Sequence, residues 1–170
     1  LNKISLNKDG TFKVKKLILE KKILNKLNEN FMLFFSGRTR IASSIAKEQI
    51  ENISKNEKQI HQMVNMVDVS INLLLKSDLD SFGKLLNETW QMKKSLSNKI
   101  SNAEIDEIYS LGIKNGALGG KLLGAGGGGF ILFYAKKKDH LKIKNALSKL
   151  TFVPFNFENL GSSIVLYEPK

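Results

Sequence analysis

Apolar positions fall into two rhythms along the chain, one of period two and one of period three to four. Residues 3–19 alternate weakly around Asn7-Lys8-Asp9-Gly10, with Ile4 and Leu6 before the turn and Phe12, Val14 and Leu17 after it. Asp-Gly between two alternating runs predicts a β-hairpin. A short helix over 20–28 is expected to lead into Phe31-Met32-Leu33-Phe34-Phe35, a continuously apolar strand ending at Ser36-Gly37, and a helix over 41–53 follows. Ile60, Met63, Val64, Val67, Ile71 and Leu74 then recur at helical spacing. They predict an amphipathic helix over 57–76 whose methionines belong to the core. Ser77-Asp78 caps a second long helix reaching residue 96, with Leu79, Phe82, Leu85, Leu86, Met92 and Leu96 inward. Ser101-x-x-Glu104 reads as the capping box of a third, which buries Ile105, Ile108 and Tyr109 and stops at Asn115-Gly116. A strand over 130–135, a basic helix over 138–150 and strands over 152–157 and 164–167 close the chain. This order predicts an α+β domain of one unit over residues 1–170, with helices packed on one face of a mostly antiparallel sheet in a ferredoxin-like plan.

Between the third long helix and the strand at 130 lies Gly119-Gly120-Lys121-Leu122-Leu123-Gly124-Ala125-Gly126-Gly127-Gly128-Gly129, which holds seven of the 13 glycines. An ordered glycine run marks a loop where backbone N–H groups are presented and another group can come close. It contains a literal G-x-G-x-x-G, but a dinucleotide fold needs a helix after that motif and here a strand follows. A phosphate-binding P-loop ends in Lys-Ser/Thr, whereas Lys121 precedes most of the glycines. A protein-kinase glycine loop sits between strands, yet neither H-R-D nor D-F-G occurs downstream. The buried character of Leu122-Leu123 and Phe130 argues against a flexible linker.

Charge adds a candidate site. There are 27 Lys+Arg against 16 Asp+Glu, a formal net charge of +11, spread over the chain so that a solvated basic surface accounts for most of it. Arg38 and Arg40 stand at a strand-to-helix turn, where they can grip a phosphate bidentately or hold an ion pair. Lys93 and Lys94 follow the only indole, Trp90, at i+3 and i+4, a pattern that suits either a sugar-phosphate or a core rim with solvated lysines. His61 and His140 lack a second ligand at metal spacing, and Asp106 in a first helical turn is explained by the helix dipole. The chain has no cysteine, which is compatible with a reducing, cytoplasmic setting. No apolar run reaches the length of a membrane helix. The chain begins at Leu1 instead of Met, as a piece of a longer protein would.

Lys121-Leu-Leu-Gly124-Ala-Gly-Gly-Gly-Gly129-Phe-Ile-Leu-Phe resembles the C-terminal glycine motif of the GHMP small-molecule kinases, and Ile105-Asp106 with Gly116-Ala-x-Gly119-Gly120 resembles that region too. Within the superfamily the likeness points to the D-glycero-D-manno-heptose 7-phosphate kinases, through Trp90-Gln-Met-Lys93-Lys94-Ser95-Leu96-Ser97, Ile100-Ser101 and Phe35-Ser36-Gly37-x-x-Arg40. The resemblance implies the C-terminal domain of a two-domain, ATP- and Mg2+-dependent kinase that phosphorylates the anomeric hydroxyl of a heptose 7-phosphate. It implies that an N-terminal domain absent from this chain carries the phosphate loop, the catalytic groups and most of the metal site. Gly124, Ala125, Gly126, Gly127 and Gly128 then become nucleotide-site candidates, and Arg38, Arg40, Lys93 and Lys94 candidates for the sugar-phosphate. Asn159-Leu160-Gly161-Ser162-Ser163 mimics the end of a phosphate loop but precedes an expected strand, so it reads as a turn.

Three other readings compete. A galactokinase- or fucokinase-like enzyme would share the glycine motif, and a regulatory domain could keep the fold without catalysis. An RNA-binding domain would suit the plan and the charge, with Phe130-Ile-Leu-Phe133 as half of an RNP1 element, but four glycines stand where its basic and aromatic residues belong. Nucleic acid is therefore not the expected partner.

Overall fold

The computed structural model describes residues 1–38, 42–158, 161–164 and 166–168, with residues 42–45 as backbone only. Arg40 and the segment Asn159-Leu160 lie outside the described residues. The predicted hairpin forms from β1 (Asn2–Leu6) and β2 (Phe12–Lys16), antiparallel with Ile4 opposite Val14 and Leu6 opposite Phe12. Its turn carries Gly10 at φ 82°, and Thr11 donates to Asp9 from both its amide and its hydroxyl, the pattern that makes Asp-Gly a turn former.

Next come α1 (Lys21–Asn30), β3 (Phe31–Phe35), α2 (Ala42–Glu51), α3 (Glu57–Leu75), α4 (Leu79–Lys94) and α5 (Ala103–Lys114). The chain then runs through β4 (Ala117–Leu122), β5 (Phe130–Ala135), α6 (His140–Ala146) and β6 (Thr151–Val153). The main sheet is antiparallel throughout, in the order β4-β5-β3-β6. Counted from β3, the order is 2-3-1-4, the ferredoxin-like arrangement. Phe31 to Phe35 pair residue for residue with Tyr134 to Phe130.

Met32, Phe34, Ile131 and Phe133 turn to one face and pack with Ile105, Ile108 and Tyr109 of α5 and Ile143 of α6. Phe31 and Tyr134, one residue out of phase, turn to the reverse face and meet Leu27 of α1, Leu79 and Phe82 of α4 and Leu74 of α3. α4 contributes to both clusters because its far end carries Trp90 into the first. Gly83 of α4 and Gly119 of β4 make that approach possible: a Cβ on Gly119 would lie 2.0 Å from the Gly83 carbonyl oxygen. None of the described helices is long and apolar enough to cross a membrane.

Five expectations need correction. Gly119 and Gly120 are not loop but strand β4, paired with Tyr134 and Phe133 of β5 in spite of glycine's poor strand propensity, with Gly119 also in close contact with α4. The cap of α5 is Asn102, whose Oδ1 accepts from the Ile105 amide at 3.0 Å, while the Ser101 hydroxyl donates to Asp106 instead. The apolar stripe of α3 is only partly covered, since α3 packs mainly on α4 and reaches the sheet's cluster only through Leu74; Val64 and Val67 are exposed. The helix expected over 138–150 is the shorter α6, preceded by a 3-10 turn over Lys137–Asp139. The described part of 161–168 carries no strand, and Ile164, Leu166 and Tyr167 are exposed.

Candidate functional site

Residues 123–129 form the connection between β4 and β5. Leu123 still donates to the Phe130 carbonyl at 2.8 Å, so the loop proper is Gly124 to Gly129. Four of its glycines need their lack of a side chain for conformation, with φ 78° at Gly124, 125° at Gly126, 74° at Gly127 and 104° at Gly129. Contact adds a second demand at Gly126, where a Cβ would come within 2.6 Å of both Cα and O of Ile100. At Gly128 it would meet the Arg38 backbone and Cβ at 3.1 to 3.2 Å.

Neighbouring elements pin the loop by its carbonyls. Lys93, at the end of α4, donates to Gly124 O at 2.6 Å, and Gln49 of α2 donates to Ala125 O at 2.8 Å. Asn102, besides capping α5, reaches Gly127 O at 3.3 Å. The Gly127 amide donates to Ile100 O at 2.7 Å, and Gly129 and the buried Ser36 exchange two bonds, the Ser36 amide to Gly129 O at 2.9 Å and the Gly129 amide to Ser36 Oγ at 3.1 Å. Among the described residues the N–H groups of Gly124, Ala125 and Gly126 have no hydrogen-bond partner. The loop thus spends its carbonyls on the protein and leaves a run of three donors unspent, which is the polarity an anion cradle requires.

The cationic candidates gather at this loop and are matched with acids. Arg38 pairs with Glu104 and Lys94 with Asp106 at 2.9 Å, both acids standing in the first turn of α5. Behind them Lys99 pairs with Glu48 at 2.7 Å, and Ser97 donates to the same carboxylate at 2.5 Å. The Lys99 hydrogen bond, with Ser97 behind it, holds the Glu48 carboxyl below its ordinary pKa. Lys93 therefore reaches the loop at Gly124 and Arg38 lies beside Gly128, while Lys94 is turned to Asp106 of α5; Arg40 is not described. Trp90 is 1 % exposed and stacks obliquely against Tyr109 with ring centroids 5.9 Å apart, so the indole is core and offers no face to a sugar. Burial pushes the Tyr109 phenol far up, and its hydroxyl serves the structure by donating to Asn87 Oδ1 and Gly120 O.

Gln49 and Asn102 were not singled out by sequence reasoning and reach the loop through folding alone. Ser36 and Ile100 stood in the stretches that carry the family resemblance, but no role at the loop was assigned to either. Among the described residues no group of three or more His, Cys, Asp or Glu could hold a metal ion.

Residues 70–151 match the family model described as GHMP kinases C terminal. The chain is 32% identical over 130 residues to a D-glycero-alpha-D-manno-heptose 7-phosphate kinase of Campylobacter jejuni, an alignment covering 75% of this chain and 38% of that protein. It is 29% identical over 109 residues to an L-fucokinase/L-fucose-1-P guanylyltransferase of Bacteroides fragilis, covering 62% of this chain and 11% of the other. In fold it is similar to the crystal structure of L. major mevalonate kinase in complex with R-mevalonate, with TM-score 0.68 at 18% identity over 86% of this chain and 44% of that one. The chain spans less than half the length of each of these proteins.

Proposed function

With residues 70–151 a GHMP kinase C-terminal region, we propose that the chain is the C-terminal part of an ATP-dependent sugar kinase acting in the cytoplasm on the anomeric hydroxyl of D-glycero-D-manno-heptose 7-phosphate. The heptose assignment leans on the Campylobacter jejuni relative. The observation that carries the nucleotide role is the loop's polarity, with carbonyls of Gly124, Ala125 and Gly127 bonded inward and the N–H groups of Gly124 to Gly126 unspent.

In this reading the sugar hydroxyl oxygen attacks the γ-phosphorus, the bond to the β–γ bridging oxygen breaks, ADP leaves and the hydroxyl proton passes to a base. Such a transfer depends on positioning and on stabilising the spread phosphoryl charge. Gly124, Ala125, Gly126, Gly127 and Gly128 contribute to it by shaping one wall of the nucleotide cradle. Lys93 holds that wall through Gly124 O. Arg38 and Lys94, with Arg40 two residues after Arg38, supply positive charge for the 7-phosphate. Bound Mg2+ would shield the β- and γ-phosphates; this reading assigns that site, the phosphate loop and the base to an N-terminal domain of the same protein.

An ADP-release assay on the polypeptide that includes the region preceding Leu1 tests the reading, with heptose 7-phosphate, L-fucose and galactose in parallel. Turnover of heptose 7-phosphate is the expected result. Turnover of L-fucose or galactose alone would replace the substrate while keeping the kinase, and release with no sugar tried would remove the kinase reading itself.

A further inference from the structure

The sheet has a second end. β5 is six residues long, so at about 3.3 Å per residue its far end lies about 20 Å from the glycine loop. There a cleft of about 900 Å3 opens between α1, the turn joining α3 to α4 and the segment after β5. Lys21, Lys22, Lys26, Lys136 and Lys137 line it, against Glu29, Asp78 and Asp80, a formal balance of five positive minus three negative, or +2. Two of the acids are engaged. Asp80 pairs with Lys136, and Asp78 is turned onto the start of α4, where it accepts from the Ser81 amide at 3.1 Å. Lys21, Lys22, Lys26 and Lys137 make no ion pair among the described residues. α1 begins beside them at Glu20, whose side chain makes no cap bond and which does not line the cleft.

Asn30 also lines this cleft. It is only 6 % exposed, and its amide nitrogen donates to the buried Tyr134 hydroxyl at 2.7 Å. The hydroxyl can accept from an amide N–H or donate to an amide oxygen, so Tyr134 engages one end of the Asn30 amide and the other end has no partner among the described residues. The group that satisfies that end comes from solvent or from a ligand.

We propose that this cleft is a binding site for a phosphorylated, polyhydroxylic small molecule, with phosphate held by Lys21, Lys22, Lys26 and Lys137 and a ligand hydroxyl bonded to the free end of the Asn30 amide. The site is separate from the glycine loop and does not depend on the kinase reading. Lysine is abundant over the whole chain, so the experiment contrasts this cluster with another. The full chain, labelled with 15N, is titrated with fructose 1,6-bisphosphate at about 0.15 M salt, where diffuse surface attraction is largely screened. Saturable amide shifts are expected in Lys21–Asn30, in 77–80 and at Lys136 and Lys137. Lys22→Ala with Lys26→Ala raises Kd at least about tenfold, about 1.4 kcal/mol. Lys55→Ala with Lys58→Ala, outside the cleft, leaves Kd unchanged. Equal weakening by both pairs, shifts confined to the glycine loop, or no saturation would overturn the proposal. So would inorganic phosphate binding as tightly as the bisphosphate, because the hydroxyl contact would then contribute nothing.

Discussion

Gly126 and Gly129 offer a matched pair for testing how the loop is held. Both have positive φ, 125° and 104°, so alanine is strained at each, by about 1–3 kcal/mol. Their surroundings differ. A Cβ at Gly129 meets nothing within 4 Å, whereas at Gly126 it lies 2.6 Å from Cα and O of Ile100, backbone atoms of a residue that is itself fully buried. Relieving that contact moves the 97–102 segment away from the loop and breaks the bond from the Gly127 amide to Ile100 O. Overpacking of this kind adds about 1–3 kcal/mol. Gly126→Ala is therefore expected to destabilise the chain by about 2–6 kcal/mol and Gly129→Ala by about 1–3. Urea denaturation of the two variants measures the difference, and hydrogen exchange at Gly127 shows whether its bond is the one lost. Equal destabilisation to within about 0.5 kcal/mol, or unchanged Gly127 protection in Gly126→Ala, would refute the packing argument.

Other perturbations separate the remaining supports. Gly119→Ala puts a methyl 2.0 Å from the Gly83 carbonyl oxygen, so the α4–β4 contact has to open; a loss of at least about 3 kcal/mol is expected in denaturant melts. Trp90→Phe removes an indole N–H that has no hydrogen-bond partner, so it costs far less than Trp90→Ala, for which about 3–5 kcal/mol is expected by the same melts. Lys93→Met keeps the side-chain length but not the bond to Gly124 O; faster amide exchange at Leu123 and Gly127, the bonded amides on either side of the anchored segment, with the core amides unaffected, is the expected signature. The Glu48 carboxyl has its folded pKa lowered, by Lys99 first and Ser97 second. Its contribution is therefore present above the unfolded value of 4.5 and is lost as pH falls through the lower folded value. A stability gap between the wild-type chain and Glu48→Gln should exist at neutral pH and close in acid, and a gap independent of pH would contradict this.

Local chemistry made much of the scaffold legible. Phe31 to Phe35 is the strand its unbroken apolar run predicts, Asp9-Gly10 turns the hairpin, and Asp78 caps α4. What stayed hidden was decided by distant partners. Gly119 and Gly120 look like loop and are strand, paired with Tyr134 and Phe133 of β5, with α4 pressed against Gly119. Val64 and Val67 keep a helical rhythm without being buried, since periodicity reports an apolar face and not what covers it. At the site, the glycine motif and its basic neighbours were visible, but their arrangement was not. Lys93 meets Gly124 across 31 residues and Gln49 meets Ala125 across 76, and no local signal links such pairs. Trp90 stood beside two lysines in sequence, as a stacking surface would, yet the fold buries it.

The central claim is that the loop from Gly124 to Gly128 forms one wall of a nucleotide site. Hydrogen exchange of the protein containing both this chain and the region preceding Leu1, with and without saturating ATP and Mg2+, addresses it directly. The account predicts that nucleotide slows exchange at Gly124, Ala125 and Gly126, the amides that are unpaired here. Unchanged exchange at all three, with ATP demonstrably bound, would contradict it.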